Sequence, residues 1–435
     1  MRDSKSILSG IWLGALGALL FGVQFFRGPI ISGDSLAYIN SRPHIPPFYP
    51  IVVSFNKLIL GEYYAWGVLF IQLALGFIGI WLCGKTLCRV FHVSGLARIL
   101  TFFFLAVPYF APSPVGNLLL TEGVCYPIFL MVLSATVNYA YSGTLKPLVY
   151  ALLGLVVLGL TRGQFLFMYP VFFVLIVFAT IKHGNAMRSL AAVLLLVGAF
   201  GLLQVGEKGY NYLKHGSFER VPFTGIQLFV PNGYMASMQD VSVLKDAPQR
   251  AFFEEYIHTT TEQGWNVSFY PKSRFNKAHL VHFGQFYGPS ARAGLKIAEK
   301  YFVVSGMTDM ERSVAIDEEL IDISLQLMKA YPKRFAVYYI EAIVKALGNY
   351  LPALFFFASL GYALLLAFRS EAKFAIGCAV LMGAHLANIG LIAVVEPVQT
   401  RYAMYTLMPF TSLMCIAFFR FAQSGLGDNN IFFKR

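Results

Sequence analysis

The sequence predicts an all-α integral membrane protein with about ten transmembrane helices and one large soluble insertion. The composition is 57% hydrophobic and only 13% charged, and the mean hydropathy is +0.62, values typical of polytopic membrane proteins. Apolar runs of roughly 17 to 25 residues recur along the chain, and such a run forms a helix long enough to cross a ~30 Å hydrocarbon core. One long segment, 207–345, has instead the composition of a folded soluble domain.

Ten segments fit the length and hydropathy of a span. They are approximately 7–26, 64–84, 95–112, 121–141, 147–161, 165–181, 189–206, 346–368, 374–395 and 402–419. The first has no small-residue cleavage signal before Arg27, which predicts an uncleaved membrane segment. Arg162-Gly163-Gln164 interrupts the stretch 147–181, so this stretch is interpreted as two short spans; a single tilted span would reverse the orientation of everything downstream.

The pattern divides the chain into three parts. Residues 1–206 form an N-terminal transmembrane block, 207–345 a soluble domain, and 346–435 a C-terminal transmembrane block. Within the insertion, mixed charge and spaced apolar residues over 290–330 predict amphipathic helix. Residues 216–290, rich in Gly, Pro, Tyr and Phe, predict loops with short elements.

The charge distribution orients the chain. With the amino terminus inside, the inner segments carry 13 Lys or Arg against three acidic residues, while the outer segments are nearly balanced. This positive-inside asymmetry accounts for most of the net charge of +12, so the basic character reflects topology and argues against nucleic acid as a partner. All five cysteines lie in or beside spans, which argues against disulfides and against Cys-ligated metal, and no metal or cofactor is expected.

Ionisable residues near the membrane fall on the outer side in this topology. They are Asp34, Glu62, Glu122, Arg162, Glu396 and Arg401. Carboxylates and guanidinium groups at one face suit chemistry in which an acid takes a proton from a hydroxyl and an arginine holds phosphate oxygens. The alternative is that they end helices or form rim ion pairs, the interpretation favoured for Glu62.

Several short motifs are informative because of their order along the chain. Gly33-Asp34-Ser35-Leu36-Ala37-Tyr38 and a proline-rich loop follow the first span, and Asn117-Leu118-Leu119-Leu120-Thr121-Glu122 opens the fourth. Leu160-Thr161-Arg162 and, before the last span, Glu396-Pro397 with Arg401-Tyr402 complete the set. Together they resemble the GT-C superfamily of polytopic glycosyltransferases, which transfer a sugar from a polyprenyl-phosphate carrier. The likeness covers roughly 30–180 and 390–415 and excludes the insertion.

The resemblance implies a GT-C-like fold with a periplasmic insertion domain and a catalytic first periplasmic loop, 27–63. Asp34 matches the acid that acts as general base on the acceptor hydroxyl, and Tyr38 matches an aromatic residue beside it. Arg162 and Arg401 fall where a cation would neutralise the carrier phosphate. Substrate contacts are expected from Glu122, Glu396 and Tyr402. Many members place a second acid beside the first, whereas Ser35 stands there in this chain, which puts a bound metal in doubt.

The expected activity is an inverting transfer of a hexose such as glucose from a polyprenyl-phosphate donor to a periplasmic glycan. In this expectation the chain spans a bacterial-type inner membrane, with its active site on the periplasmic face. Lipid-linked O-antigen is the expected acceptor, as for serotype-converting glucosyltransferases, which the chain resembles in architecture. Alternatives are a transferase acting on protein or lipid A, a transporter or flippase for a lipid-linked sugar, and a receptor or structural membrane protein. A transporter predicts repeats and ionisable groups at mid-membrane, and neither stands out here.

Overall fold

The computed structural model describes residues 2–111, 114–267, 278–369, 373–395 and 400–425. The structure is 84% helical. The described residues form no strand, and the one β-bridge among them joins Ile30 and Leu118 in parallel. The predicted all-α class is therefore confirmed.

Seventeen α-helices occur within the described residues. They are α1 (Arg2–Arg27), α2 (Ser35–Ile39), α3 (Phe48–Leu60), α4 (Tyr64–Val90), α5 (Gly95–Phe110), α6 (Glu122–Ser142), α7 (Leu145–Thr161), α8 (Met168–His183), α9 (Ala186–His215), α10 (Thr224–Met235), α11 (Ala247–Glu262), α12 (Ala278–Phe302), α13 (Asp309–Ala330), α14 (Pro332–Ala346), α15 (Tyr350–Arg369), α16 (Lys373–Val395) and α17 (Thr400–Gly425). Short 3₁₀ turns span Gly61–Tyr63, Gly163–Phe167 and Met238–Val243.

Seven helical segments of the described chain are long and apolar enough to cross a membrane. They are Phe48–Val90, Glu122–Ser142, Gly163–Lys182, Ala186–His215, Tyr350–Phe368, Phe374–Val395 and Tyr402–Phe419. Three shorter apolar helices, Gly14–Arg27, Gly95–Phe110 and Leu145–Thr161, coincide with the remaining predicted spans. The chain therefore has the character of a multi-pass membrane protein in a lipid bilayer, and ten crossings stay a prediction.

The chain divides into two compact units. Unit 1 comprises Met1–Gly206, Ala358–Asn388 and Ala403–Arg435, and unit 2 comprises Glu207–Phe357 and Ile389–Tyr402. The segment predicted to be a soluble domain, 207–345, lies within unit 2, which extends further into α15.

Contacts within unit 1 set the direction of its helices. α4 and α6 run parallel, because a Cβ on Gly123 at the start of α6 would meet Gln72 of α4, while further along both helices Thr86 and Ser134 share a hydrogen bond of 2.8 Å between their hydroxyls. α7 runs antiparallel to α6, because Arg162 directly after α7 reaches back to Glu122 at the start of α6. Unit 1 thus has two ends, named here the Arg162 end, after the residue that pairs with the start of α6, and the Ser142 end, after the last residue of α6.

The stretch 147–181 forms two helices, as the interruption at Arg162 predicts. Phe178, near the end of α8, packs against Phe368 at the end of α15, with ring centroids 5.1 Å apart. Five residues after the end of α15, Phe374 in the first turn of α16 packs against Phe91, directly after α4 (5.2 Å). The end of α8 therefore lies at the Ser142 end, so α8 returns antiparallel to α7.

Unit 2 has an aromatic core, and its helices contradict one prediction made from the sequence. Residues 216–290 were predicted to be loops with short elements, but α10, α11 and the start of α12 occupy much of this range. Its glycines serve close helix packing: a Cβ on Gly225 would lie 2.2 Å from the carbonyl oxygen of Asp317, and one on Gly233 2.5 Å from the ring of Tyr256. Tyr256 itself is fully buried and packs on Phe229, with ring centroids 4.7 Å apart. The prediction of loops was wrong because these residues pack helices together.

Candidate functional site

The loop after α1 is tied to the segment that precedes α6. The backbone N–H of Ile30 donates to the carbonyl of Asn117 (2.8 Å), and the N–H of Leu119 donates to the carbonyl of Ile30 (3.0 Å). The buried Asn117 side chain adds two bonds, since Nδ2 donates to the carbonyls of Gln24 (2.7 Å) and Gly28 (2.8 Å). The first loop and the start of α6 are therefore held together at the Arg162 end.

Asp34 lies four residues beyond this bridge. Its side chain is exposed, and it directly precedes α2. Ser35, which stands where the resemblance would place a second acid, is fully buried, and its hydroxyl accepts a bond of 2.9 Å from the backbone N–H of Ser32. Ser35 thus fixes the loop conformation and leaves Asp34 as the carboxylate of this turn.

Tyr38 follows Asp34 by one helical turn and begins a chain of contacts into unit 1. Its ring meets Tyr49 edge-on, with centroids 5.3 Å apart. The Tyr49 hydroxyl donates to Oε1 of Gln72 (2.9 Å), and Nε2 of Gln72 donates to the carbonyls of Gly116 (2.7 Å) and Leu118 (3.2 Å). Both Tyr49 and Gln72 are fully buried.

Gln72 also fixes the start of α6. A Cβ on Gly123 would lie 2.4 Å from the side-chain carbonyl carbon of Gln72, so glycine alone fits there without displacing that amide. The Tyr38 ring and the backbone next to Glu122 are therefore linked through Tyr49 and Gln72.

Glu122 and Arg162 form an ion pair at the Arg162 end. Nη1 of Arg162 lies 2.9 Å from Oε1 of Glu122, and the two side chains are 20% and 8% exposed. The same Nη1 donates to the hydroxyl of Thr121 at 3.3 Å. Removing either partner would leave a largely buried charge, which is costly. A guanidinium carries five N–H donors, so pairing with Glu122 is compatible with a further anion on Arg162.

A chain of amide and hydroxyl groups leads from this pair into α16 and α17. Gln164, two residues after Arg162, donates through Nε2 to Oδ1 of Asn388 (2.7 Å), and Nδ2 of Asn388 donates to the Thr406 hydroxyl (3.0 Å). The Thr406 hydroxyl also lies 2.9 Å from Nδ1 of His385. His385 is buried near the middle of α16, so one ionisable residue that sequence reasoning missed lies well inside a helix long and apolar enough to cross a membrane.

The described structure does not test the other predicted site residues. Arg401 lies in the first turn of α17, Tyr402 follows it and is buried, and both belong to unit 2. Glu396 lies outside the described residues. Roles for these three residues remain predictions.

Sequence reasoning missed uncharged residues that organise the site. Three fully buried amide side chains join segments distant in sequence: those of Gln72, Asn117 and Asn388. A buried amide inside an apolar run is costly unless paired, and that cost is the signal that could have singled them out.

No family model, curated protein or solved structure matches this chain.

Proposed function

We propose that this protein is an inverting membrane glycosyltransferase that transfers a hexose from a polyprenyl-phosphate carrier to a glycan acceptor, such as lipid-linked O-antigen, at the periplasmic face of a bacterial-type inner membrane. One observation carries the proposal. The exposed carboxylate of Asp34 stands on a loop bonded to the segment that leads into Glu122, whose partner is Arg162. An acid and a guanidinium thus come from one end of an apolar helical unit, where a lipid-borne donor and a water-borne acceptor meet.

The proposed reaction is a single displacement. The acceptor hydroxyl oxygen bonds to the anomeric carbon, the bond from that carbon to the carrier phosphate breaks, and the hydroxyl proton passes to Asp34. A positioned base contributes about 10²–10⁴-fold to such a step. Charge grows on the departing phosphate oxygens, and in this proposal Arg162 and Arg401 stabilise it. Tyr38, Glu122, Glu396 and Tyr402 are proposed to contact the substrates.

The acceptor is proposed to be selected by the insertion 207–345, the largest hydrophilic segment of the chain. Phe218 and Phe223 are 54% and 41% exposed there, and exposed aromatic rings stack on sugar faces. Other aromatic residues of this segment, such as Phe229, Tyr234 and Phe283, are buried in the core of unit 2. Exchanging 207–345 with a relative of different acceptor specificity is expected to change the acceptor and leave the sugar unchanged.

The decisive experiment is the mass of cell-surface glycans from cells that express the wild-type chain, the Asp34→Ala variant, or neither. We expect a hexose increment with the wild type alone, at equal membrane levels of both proteins. An increment of the same size with Asp34→Ala, or none with the wild type across several glycan backgrounds, would contradict the proposal.

The proposed topology has a separate test. Alkaline phosphatase fused near residue 250 should be active, and the same reporter fused near residue 370 should be inactive. The reverse pattern would put 207–345 and Arg401 on the side opposite to Asp34, and the shared site would be lost.

A second candidate, a transporter of a lipid-linked sugar, is favoured by His385. An ionisable residue within a span is a common mark of transport or proton pathways. Substituting His385→Ala should abolish transport in that case, whereas in the transferase it should lower only stability, because Thr406 loses a partner.

A further inference from the structure

A cleft at the Ser142 end of unit 1 is separate from the candidate site. It has a volume of about 870 Å³ and opens between α4, α6 and the start of α7. Along α6 its lining runs from Ile128 to Ser142, about 21 Å of helix. The volume lies within the range of sites that hold a molecule of drug or lipid-headgroup size.

The cleft is amphipathic along its length. Its deeper part is lined by apolar residues: Leu82, Ile128, Met131, Val132, Ala135 and Gly154. Its rim, at the helix ends, carries Arg89, His92 and Lys146, and hydroxyls from Ser142, Thr144 and Tyr150. Among the described residues that line it, none is acidic.

The rim is built with a fixed geometry. Arg89 lies at the end of α4, and its Nη2 donates to Oδ1 of Asn138 on α6. That bond holds the guanidinium across the cleft mouth and uses one of its five N–H donors. Beside it, the Ser142 and Thr144 hydroxyls are hydrogen-bonded at 2.9 Å in the turn that leads to Lys146.

We propose that this cleft binds an anionic phospholipid of the bilayer, with its phosphate at the Arg89–Lys146 rim and an acyl chain along the apolar part. The charge pattern favours this occupant over a zwitterionic lipid, since cations meet the phosphate without an acid to meet a choline. The rim also lies on the face where the sequence concentrates Lys and Arg, and basic pockets between helices on that face suit anionic headgroups. A site for free phosphate would not need the long apolar part of this cleft, whereas a phospholipid would place an acyl chain there.

The test is native mass spectrometry of the full chain in detergent, titrated with phosphatidylglycerol or phosphatidylcholine of identical acyl chains. We expect tight binding of one phosphatidylglycerol, at least tenfold stronger than that of phosphatidylcholine. Removing both charges in the Arg89→Gln, Lys146→Gln double variant should weaken it about 25-fold, because each cation near the surface contributes about fivefold. Ala135→Leu, which fills the apolar part and keeps the charges, should weaken binding of both lipids.

Lys85→Gln is the matched control. Lys85 lies one turn before Arg89 on α4, its ammonium sits over the Trp81 ring at 4.9 Å, and it does not line the cleft. This variant should bind as the wild type does. If the double variant elutes as aggregate, Lys146→Gln alone, at an exposed position in the first turn of α7, carries the test with an expected fivefold loss.

Three outcomes would overturn the proposal. Equal affinity for the two lipids would show that the rim cations do not select the anionic headgroup. Unchanged lipid binding in Ala135→Leu would show that the lipid is held by surface charge alone and does not enter the apolar part of the cleft. Glycerol phosphate binding as tightly as phosphatidylglycerol would assign the rim to a soluble phosphate. None of these outcomes depends on whether the protein transfers sugars.

Discussion

Among the described residues, each unit contains an ion pair with a buried carboxylate that joins residues distant in sequence, and the two pairs differ in geometry. In unit 2, Arg334 grips Asp240 through both terminal nitrogens, Nη1 to Oδ2 at 2.8 Å and Nη2 to Oδ1 at 3.3 Å, and stacks over the Tyr331 ring at 4.1 Å. Asp240 also accepts from the backbone N–H of Ser237 (2.8 Å), within a capping box. All of these contacts serve to hold the backbone around Asp240 in place.

The unit 1 pair joins Nη1 of Arg162 to Glu122 and to the Thr121 hydroxyl, and it lies at the end of unit 1 that carries the loop of Asp34. The stacked, two-nitrogen geometry of Arg334 is explained by holding the fold together, whereas Arg162 stands close to the loop of the proposed base, and a guanidinium suits phosphate binding. The comparison therefore predicts that disrupting the unit 2 pair lowers stability alone, while disrupting the unit 1 site lowers activity more than stability.

The largest expected effect is at Asp34. Asp34→Asn keeps the shape of the side chain and removes the base, so sugar transfer should fall by about 100-fold or more. Initial rates with purified protein and saturating donor measure this. Glu62→Gln, an exposed acid in the same first loop, is the matched control and should retain near wild-type rates. Activity of Asp34→Asn above about a tenth of wild type would exclude Asp34 as the base.

The next effect separates the two roles of Arg162. Arg162→Ala leaves Glu122 buried without its guanidinium, which should destabilise the protein by about 3–5 kcal/mol. The double variant Glu122→Gln, Arg162→Gln should recover much of that loss, because no buried charge is left unpaired. If Arg162 holds the carrier phosphate, the apparent donor affinity stays weak in the double variant.

Donor titrations and thermal unfolding of the single and double variants supply both readouts. Recovery of donor affinity together with stability would reduce Arg162 to a structural partner of Glu122.

A smaller effect tests the pair in unit 2. Asp240→Asn keeps the cap acceptor and removes the charge facing Arg334, which is 37% exposed and therefore partly hydrated. We expect a loss of about 1–3 kcal/mol in unfolding free energy and an unchanged donor KM, measured by denaturant unfolding alongside transfer assays. A change in donor KM larger than the change in stability would contradict the comparison.

The smallest effect is a pH dependence in unit 2. Burial raises the pKa of Asp317 to about 6, only partly offset by its bond from the Gly225 N–H. Because the folded pKa exceeds that of the unfolded chain, the stability from this group is fully present below about pH 4 and is lost as pH rises through about 6. Asp317→Asn should therefore raise the Tm at pH 7 by a few °C, a gain that fades toward pH 4. A Tm difference independent of pH would show that burial of this carboxylate is not the cause.

The predicted apolar runs coincide with ten apolar helical segments of the described chain, seven of them long enough to cross a membrane, because a membrane-crossing helix is apolar over its whole length. The parity of the predicted spans put Glu122 and Arg162 at one membrane face, but their ion pair was not predicted. Hydropathy averages hide single amides, so the chain from Tyr49 through Gln72 to Gly116 could not be predicted. In unit 2, the glycines and aromatics of 216–290 gave the wrong element type, since composition does not distinguish a turn from a close helix crossing.

The bonds from Asn117 to Gln24 and Gly28 span 93 and 89 residues of sequence. A ribosome adds about 5–20 residues per second, so the loop of Asp34 emerges roughly 5 to 20 seconds before the residue that fixes its position exists. In the proposed topology, the first helix enters the membrane during that interval, before the segment that bonds to its loop has been made. The loop of Asp34 acquires its final place only after α5 has followed it.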